Sequence, residues 1–544
     1  MKNLKSLLYE NVKFVLEELS FPKVKFSILP SKNPEFGDLS CNVPLLLSRD
    51  VKKSPLDISE LILKKLQSKK LDSITQITVT KPGFINFRIS NYFFQSKISL
   101  ILSKNNDYGR NSIGQGKSAN VEFVSANPTG PLTIGHGRNA ILGDSISNIL
   151  EWNGYKITRE YYFNNAGRQM RILGDSVKAR YFEILGKDSS FPEDGYQGSY
   201  IIDIAKEIIK KYGGELKSDS LKFKVEAEEI IFDQIKISLK KLKIYFDQFT
   251  NEKTFYQNGD IKDLLAKLSK KNLLYEEDGA TWFKATALGK EQDKVYIKKS
   301  GEPTYRVPDT AYHKDKIDRG FDLIIDVFGT DHVDAYPDVL CALEALDLKT
   351  DHIKVLLYQF VTLLKDGKKY KMSTRKANFI TIDELIQEVG PDVIRYFFIM
   401  RSMNTHLDFD LDLAKDQSEK NPVFYLQYAY ARISSILMRG NELGIKVKSD
   451  NNYSMLFHPK EIDLLKHMIR FPNIIENTLD SLEPQGIANY LQELATRFHK
   501  FYANCRVLSD NIETSTARLG LILSVKYIMG NGLNILGISA PEKM

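Results

Sequence analysis

Cysteine is scarce in this sequence. Only Cys41, Cys341 and Cys505 occur among 544 residues, far apart and without CxxC spacing or a histidine partner in metal-ligand register, which speaks against both a zinc site and a disulfide framework. Long apolar runs are missing too: no stretch approaches the ~20 uncharged apolar residues that a membrane-crossing helix requires. The opening MKNLKSLLYENVKFVLEEL mixes charges into its apolar positions and reads as an amphipathic helix, not a secretory signal. These absences lead to the expectation of a soluble, cytoplasmic chain with no metal held by its side chains and no membrane partner.

What is present sets the scale. With 42% hydrophobic residues over this length, the chain can bury several cores, and length alone predicts about three or four domains. Lys and Arg number 76 against 69 Asp and Glu, a formal net charge of +7. That balance favours polyanionic partners, but a solvated basic surface accounts for it equally well.

Residues 1 to about 115 pass from helical patterning into Ile77-Thr78-Val79-Thr80, a Pro82-Gly83 turn and Phe84-Ile85-Asn86-Phe87, an order that predicts a separate α+β domain. The polar, glycine-rich stretch Asn111 to Ser118 reads as a linker. Beyond it, Asn120 to Val124 is a short strand, Ser125 to Thr133 a loop with prolines and a glycine, Gly135 to Trp152 a helix and Tyr155 to Phe163 a second strand. Strand, helix, strand predicts a parallel sheet with a right-handed crossover. Residues 186 to about 275 are lysine-rich and helical in pattern, with Ile231, Ile235, Leu239 and Leu242 at helical spacing, and look inserted between sheet strands. The sheet pattern resumes at Asp322 to Phe328 and His352 to Leu357, and from about 413 onward only helical periodicity is found.

The stretch VEFVSANPTGPLTIGHGRNA, residues 121–140, carries the most chemistry. A strand end, a proline-ordered loop and Gly135-His136-Gly137 at a helix start offer free backbone N–H groups and a positive dipole end to a phosphate. Glycine lets a ligand come close, and His136 adds a donor that can follow charge building on an α-phosphate. An ordinary strand-to-helix turn with a capping histidine is the other reading of the same residues.

This stretch resembles the "HIGH" signature of class I aminoacyl-tRNA synthetases, in the extended form of the arginyl type, unbroken from Glu122 through Asn139 except that Thr133 stands at the first histidine position. Threonine can donate one hydrogen bond there but cannot carry charge. Lys371-Met372-Ser373-Thr374-Arg375 resembles the "KMSKS" loop, whose cations stabilise departing pyrophosphate; by itself it could be a solvated basic loop. Tyr305 through His313 is similar to the family's arginine-recognition stretch. A guanidinium is told from an ammonium by carboxylates in fork geometry. The resemblance therefore implies that Asp309 and Tyr305 face the guanidinium, that Glu122 assists, and that Asn127 holds the α-amino group. Asp309 could otherwise be a helix N-cap. Phe328 through His332 is similar to the segment lining the family's adenosine and amino-acid pocket.

Several consequences follow from the resemblance. The fold is α/β multidomain: an N-terminal α+β domain (1–115) that touches the tRNA elbow through Asn86, a Rossmann-like parallel-sheet catalytic domain (116–412) with the helical insertion, and a C-terminal all-α helical bundle (413–544) that binds the anticodon. His136, Thr133 and Lys371 carry catalysis. ATP sits against Asn127, Pro128, Gly130, Gly135, His136, Gly137, Lys371, Met372 and Ser373, and magnesium accompanies it. Tyr425, Tyr428 and Arg432 offer flat faces and a guanidinium to unstacked anticodon bases, with Met544 close by; tyrosines at that spacing also serve helix–helix cores. The chain is expected to join arginine to tRNA(Arg) as a monomer. Two rivals remain: another class I synthetase of glutamyl or cysteinyl type, and a non-catalytic tRNA-binding homologue, to which Thr133 points.

Overall fold

Five short strands make the central sheet: β1 (Ser118–Glu122), β2 (Lys156–Phe163), β3 (Gln248–Asn251), β4 (Leu323–Gly329) and β5 (Ile353–Tyr358). The computed structural model describes residues 2–31, 33, 35–69, 71–369 and 380–544. The strands lie in the order β5-β4-β1-β2-β3, and every neighbouring pair is parallel. From β1 the chain builds outward through β2 and β3, then returns to the other side of β1 for β4 and β5. The order reverses between β1 and β4, and a crevice opens outside the carboxyl ends of such a pair.

The apolar segment after β1 forms helix α1 (Ile134–Trp152), buried along almost its whole length, as an element sandwiched under a parallel sheet must be. β1 stops at Glu122, where the residues beyond it, Val124 (φ 67°) and Ser125 (φ 44°), take the left-handed conformation. Such geometry is costly for a β-branched residue, about 1–3 kcal/mol. The Asn139 side chain holds it in place: its Oδ1 accepts the Val124 N–H at 2.6 Å, and its Nδ2 donates to the Val327 carbonyl of β4 at 2.8 Å.

Helices Ser199–Tyr212 and Lys222–Lys241 occupy the lysine-rich segment, but the helical expectation for 186–275 needs correction. Gln248–Asn251 is the edge strand of the central sheet. At four residues with no apolar alternation it leaves no period to read. Ala280–Phe283 is the middle strand of a small antiparallel sheet, paired with Leu274–Glu277 on one side and Lys294–Ile297 on the other, that the sequence did not announce.

The N-terminal part is a four-stranded antiparallel sheet with helices such as Lys2–Glu18 and Pro55–Gln67. After Leu411 only helices are found among the described residues, including Pro422–Glu442, Gln485–Asn504 and Ile512–Ile535. One continuous set of buried apolar side chains runs through all three parts. Arg395 is fully buried where the central part meets the C-terminal helices. Its Nε donates to the Leu536 carbonyl at 2.8 Å, its Nη1 to the Leu242 carbonyl at 2.9 Å, and its Nη2 pairs with Asp144.

Candidate active site

Thr133 is the N-cap of α1, and His136 is the third residue of the helix. The Thr133 hydroxyl accepts the His136 N–H at 3.4 Å, while the Thr133 N–H points at the imidazole Nδ1 at 3.2 Å. An Nδ1 that accepts leaves the proton on Nε2, and His136 lines the cleft. Burial holds this imidazole below its ordinary range, against the opposing pull of Asp331. It therefore meets a ligand as a neutral donor.

On the sheet, Asp326 of β4, Glu122 of β1 and Glu160 of β2 are in register across three adjacent parallel strands. Paired residues of a parallel sheet share a face, so three carboxylates stand in a row, all nearly inaccessible. Such a row is untenable without compensation. Helix α3, which follows the still shorter α2 (Glu252–Gln257), spans Arg306–Asp318 and supplies it. Lys316 Nζ pairs with Glu122 and reaches Asp326 Oδ1 at 2.6 Å. His313 Nε2 faces Asp326 Oδ2 at 3.1 Å, and Arg319, just past the helix end, grips Glu160 at 2.8 Å. Burial pushes Asp326 upward, but Lys316 and His313 more than offset it and hold the carboxyl far below its usual range.

Asp309, at the other end of α3, stands apart from this network. It lies in the first turn and is not the N-cap, a place taken by Tyr305, so the capping alternative is removed. Its carboxylate has no hydrogen-bond or ion-pair partner among the described residues. Burial, with Glu252 and Glu122 nearby and His313 opposing, pushes it up to about 7. Glu252, the first residue of α2, is hydrogen-bonded by the Tyr162 hydroxyl at 2.9 Å and by Asn164 Nδ2 at 2.7 Å.

Of these groups Glu122, His136, Tyr162, Glu252, Asp309 and His313 face a cleft of about 570 Å³ at the carboxyl ends of β1, β2, β4 and β5. It brings together Glu122, Asn127, His136, Tyr305 and Asp309 from the expected set, with Phe328, Gly329 and Asp331 of the later segment. Asn127 is held by the Asn164 N–H on its Oδ1 at 2.9 Å and by Gln169 at 3.1 Å. Pro128, Gly130, Gly135 and Gly137 are not on the cleft wall as described. Pro128 is buried, and a Cβ on Gly130 would meet the Tyr200 hydroxyl at 3.0 Å. A Cβ on Gly137 would meet Ile382 Cδ1 at 2.4 Å; that glycine serves helix packing. Gly135 has open space around it, with only Thr133 Oγ1 at 3.7 Å. Lys371, Met372 and Ser373 lie outside the described residues.

Glu252, Tyr162, His313, Lys316 and Asp326 were not singled out from the sequence. The spacing of Asp309, His313 and Lys316 along one helix face was a usable signal. The register that sets Asp326 beside Glu122 was not, since no local pattern encodes it.

Away from the cleft, Asn86 is buried, donates to Thr80 Oγ1 at 2.9 Å, and borders a groove with Lys81 and Phe84. A second groove, of about 1130 Å³, joins Tyr428, Arg432, Tyr502 and Met544. Arg432 stacks over the rings of Tyr428 and Tyr502, at 4.6 and 5.1 Å. Tyr425 is not among the lining residues; it packs against His499 at 4.8 Å.

Known proteins share this organisation. Three family profiles match in succession: the arginyl tRNA synthetase N terminal domain over residues 3–89, the catalytic domain of class I tRNA synthetases (R) over 97–395, and the DALR anticodon binding domain over 426–544. An arginine–tRNA ligase of Salinibacter ruber is 46% identical over 530 residues, 94% of each chain. One from Desulfotalea psychrophila is 46% identical over 96% of this chain and 95% of its own. The Thermus thermophilus arginyl-tRNA synthetase structure, 21% identical, superposes with a TM-score of 0.75 over 99% of this chain and 100% of its own, which bears on fold alone. With the α/β multidomain architecture, the helix start at His136 and the acidic cleft in place, the chain belongs to the arginyl-tRNA synthetases, a family of class I aminoacyl-tRNA synthetases.

Proposed function

We propose that this chain is an arginine–tRNA ligase in which the cleft at the β1–β4 reversal binds arginine and ATP side by side. The carrying observation is the meeting, in one cleft, of the α1 start with His136 and of an uncompensated carboxylate, Asp309. Asp309 and Tyr305 receive the guanidinium, Asn127 the α-amino group, and Glu122 borders the site with its charge already matched by Lys316. This assignment favours arginine over glutamate, because the pocket wall is acidic.

ATP lies with its α-phosphate toward α1, where the N–H groups around Gly135 and the His136 Nε2–H stabilise negative charge that grows as the arginine carboxylate attacks. Arginyl-adenylate forms and pyrophosphate leaves, with Lys371, Met372 and Ser373 assigned to the departing group by the family resemblance. The 2′ hydroxyl of the terminal tRNA adenosine then attacks the activated carboxyl, forming the ester, losing its proton and releasing AMP. Positioning and electrostatics supply the acceleration. Magnesium is assigned to the phosphates of ATP: among the described residues the one cluster with metal-ligand chemistry is Glu122, His313 and Asp326, and the Lys316 ammonium already sits there.

Residues 1–115, with Asn86, are assigned to the tRNA elbow, 116–412 to catalysis, and 413–544 to the anticodon through Tyr428, Arg432 and Met544, with Tyr425 supporting from the core. We propose that it acts as a monomer, and no described helix is long and apolar enough to cross a membrane. We place its work in the cytoplasm, with tRNA. ATP–pyrophosphate exchange across all amino acids, with and without total tRNA, tests the reading. Exchange is expected for arginine alone and only with tRNA present; exchange driven by another amino acid would overturn it.

A further inference from the structure

We infer that Lys316 is a specificity-determining residue of the arginine site: a resident ammonium that occupies the seat a compact cation would take, leaving Asp309 as the place where a forked cation is bound. The inference rests on the reading above in assigning the guanidinium to Asp309.

The seat is defined by geometry. Ligand atoms of Glu122, His313 and Asp326 lie within 4.8 Å of one another, an oxygen and nitrogen set that suits a small cation. Lys316 enters from behind, wholly buried, with Nζ on Glu122 Oε2 and 2.6 Å from Asp326 Oδ1. Glu122 and His313 border the cleft, whereas Lys316 and Asp326 do not. The seat is thus one side chain deep from the substrate and plugged from the far side.

Hydrogen bonds also bear on its charge. His313 Nδ1 faces the Asp309 carbonyl at 2.8 Å, and a carbonyl only accepts, so Nδ1 carries a proton. Nε2 faces Asp326, whose other oxygen accepts from Lys316, so Nε2 carries one as well. The Ser125 hydroxyl accepts the Tyr162 N–H at 3.2 Å and donates to Glu122 Oε1 at 2.8 Å, so Glu122 accepts at both oxygens. Burial pushes the Glu122 carboxyl above its usual range and the Lys316 ammonium beside it opposes that push, so two carboxyl groups share one ammonium and one imidazole ring in this seat. Asp309, one turn from His313, has no such partner.

An ammonium is a compact point charge with three donors, while a guanidinium is a planar fork. The buried seat fits the first. With Lys316 in it, a substrate lysine or ornithine finds no second seat of that kind and meets Asp309, with Glu252 already hydrogen-bonded by Tyr162 and Asn164, a geometry suited to arginine. Rejection here works by prior occupation, not by a clash.

Lys316→Met removes the charge and keeps the stem. In the full chain, Co²⁺ is expected to give the visible absorption of a bound ion in this variant and none in the wild type. Calorimetry is expected to show the preference for arginine over lysine narrowing by about tenfold or more. Lys316→Gln, which keeps donors toward both carboxylates, should narrow it in the same direction and serves if the Met variant does not fold. Folded variants that keep the wild-type preference overturn the inference, as does Co²⁺ binding by the wild type in competition with arginine. A wild type that binds no arginine at all overturns the assigned substrate, and the Co²⁺ comparison still reads the seat by itself.

Discussion

Thr133 and His136 secure each other at the first turn of α1, hydroxyl to backbone N–H in one direction and backbone N–H to imidazole in the other. The threonine at the first signature position thus acts as a helix cap and fixes the tautomer of its neighbour. Thr133→Val keeps the shape and removes the hydroxyl. It should lower stability by about 1 kcal/mol in urea unfolding and slow arginyl-adenylate formation, whereas Thr133→Ser should retain both. A Val variant with unchanged kinetics would show that the hydroxyl matters only to the helix.

The unmatched carboxylate predicts a pH dependence. Asp309 titrates at about 7, and in its neutral form it cannot pair with a guanidinium, so the arginine KM should fall as pH rises through that value while the ATP KM stays level. Asp309→Asn should raise the arginine KM on the order of a hundredfold and flatten its pH profile. Equal losses for both substrates would remove Asp309 from this role. A carboxyl raised on folding contributes stability that is lost as pH climbs through its folded value. Arginine should therefore raise Tm more at pH ~8 than at pH ~6, since the bound cation matches the otherwise unpaired charge.

Gly135 and Gly137, so close in sequence, should respond oppositely to alanine. Gly135 has room for a Cβ, so Gly135→Ala should fold with unchanged or slightly higher stability, by up to about 1 kcal/mol, and lose ATP affinity because a phosphate can no longer approach. Gly137→Ala drives a methyl into Ile382 and toward Phe398, costing about 1–3 kcal/mol with less effect on the ATP KM of the surviving fold. Thermal unfolding and ATP kinetics on both variants separate the two roles.

In the C-terminal groove, Arg432→Ala and Tyr428→Ala should each weaken tRNA binding by about 1–3 kcal/mol without changing the affinity for arginine. Filter binding at two salt concentrations checks this, since loss of the cation should also flatten the salt dependence. Tyr425→Phe, which keeps the ring packed on His499, should leave tRNA affinity near the wild type.

The parts of the fold that were legible in the sequence have strong local periods. The helix after Thr133 and the strands near residues 120, 160, 325 and 355 fall within one or two residues of their expected ends. Gln248–Asn251 was hidden because an edge strand of four residues pairs through its backbone and needs no apolar pattern. The site divides along the same line. Glu122, Asn127, His136, Tyr305 and Asp309 were named through the family resemblance of the short stretches that hold them, and they share a cleft. Asp326 and Glu252 could not be found that way, since what makes them part of the site is the strand beside them. Lys316 looked like one more lysine among many until the register of β1 and β4 gave it two carboxylates.

Arg395 ties together segments that lie hundreds of positions apart: Asp144 of α1, the residue after helix Lys222–Lys241, and the chain just beyond the last long helix. Gly537, with φ +68°, lies where any side chain would strike that guanidinium. Neither the nucleotide-binding body nor the RNA-reading bundle can let go of this joint without stranding a buried charge. At that point one guanidinium joins the end of the bundle directly to the helix that begins near His136.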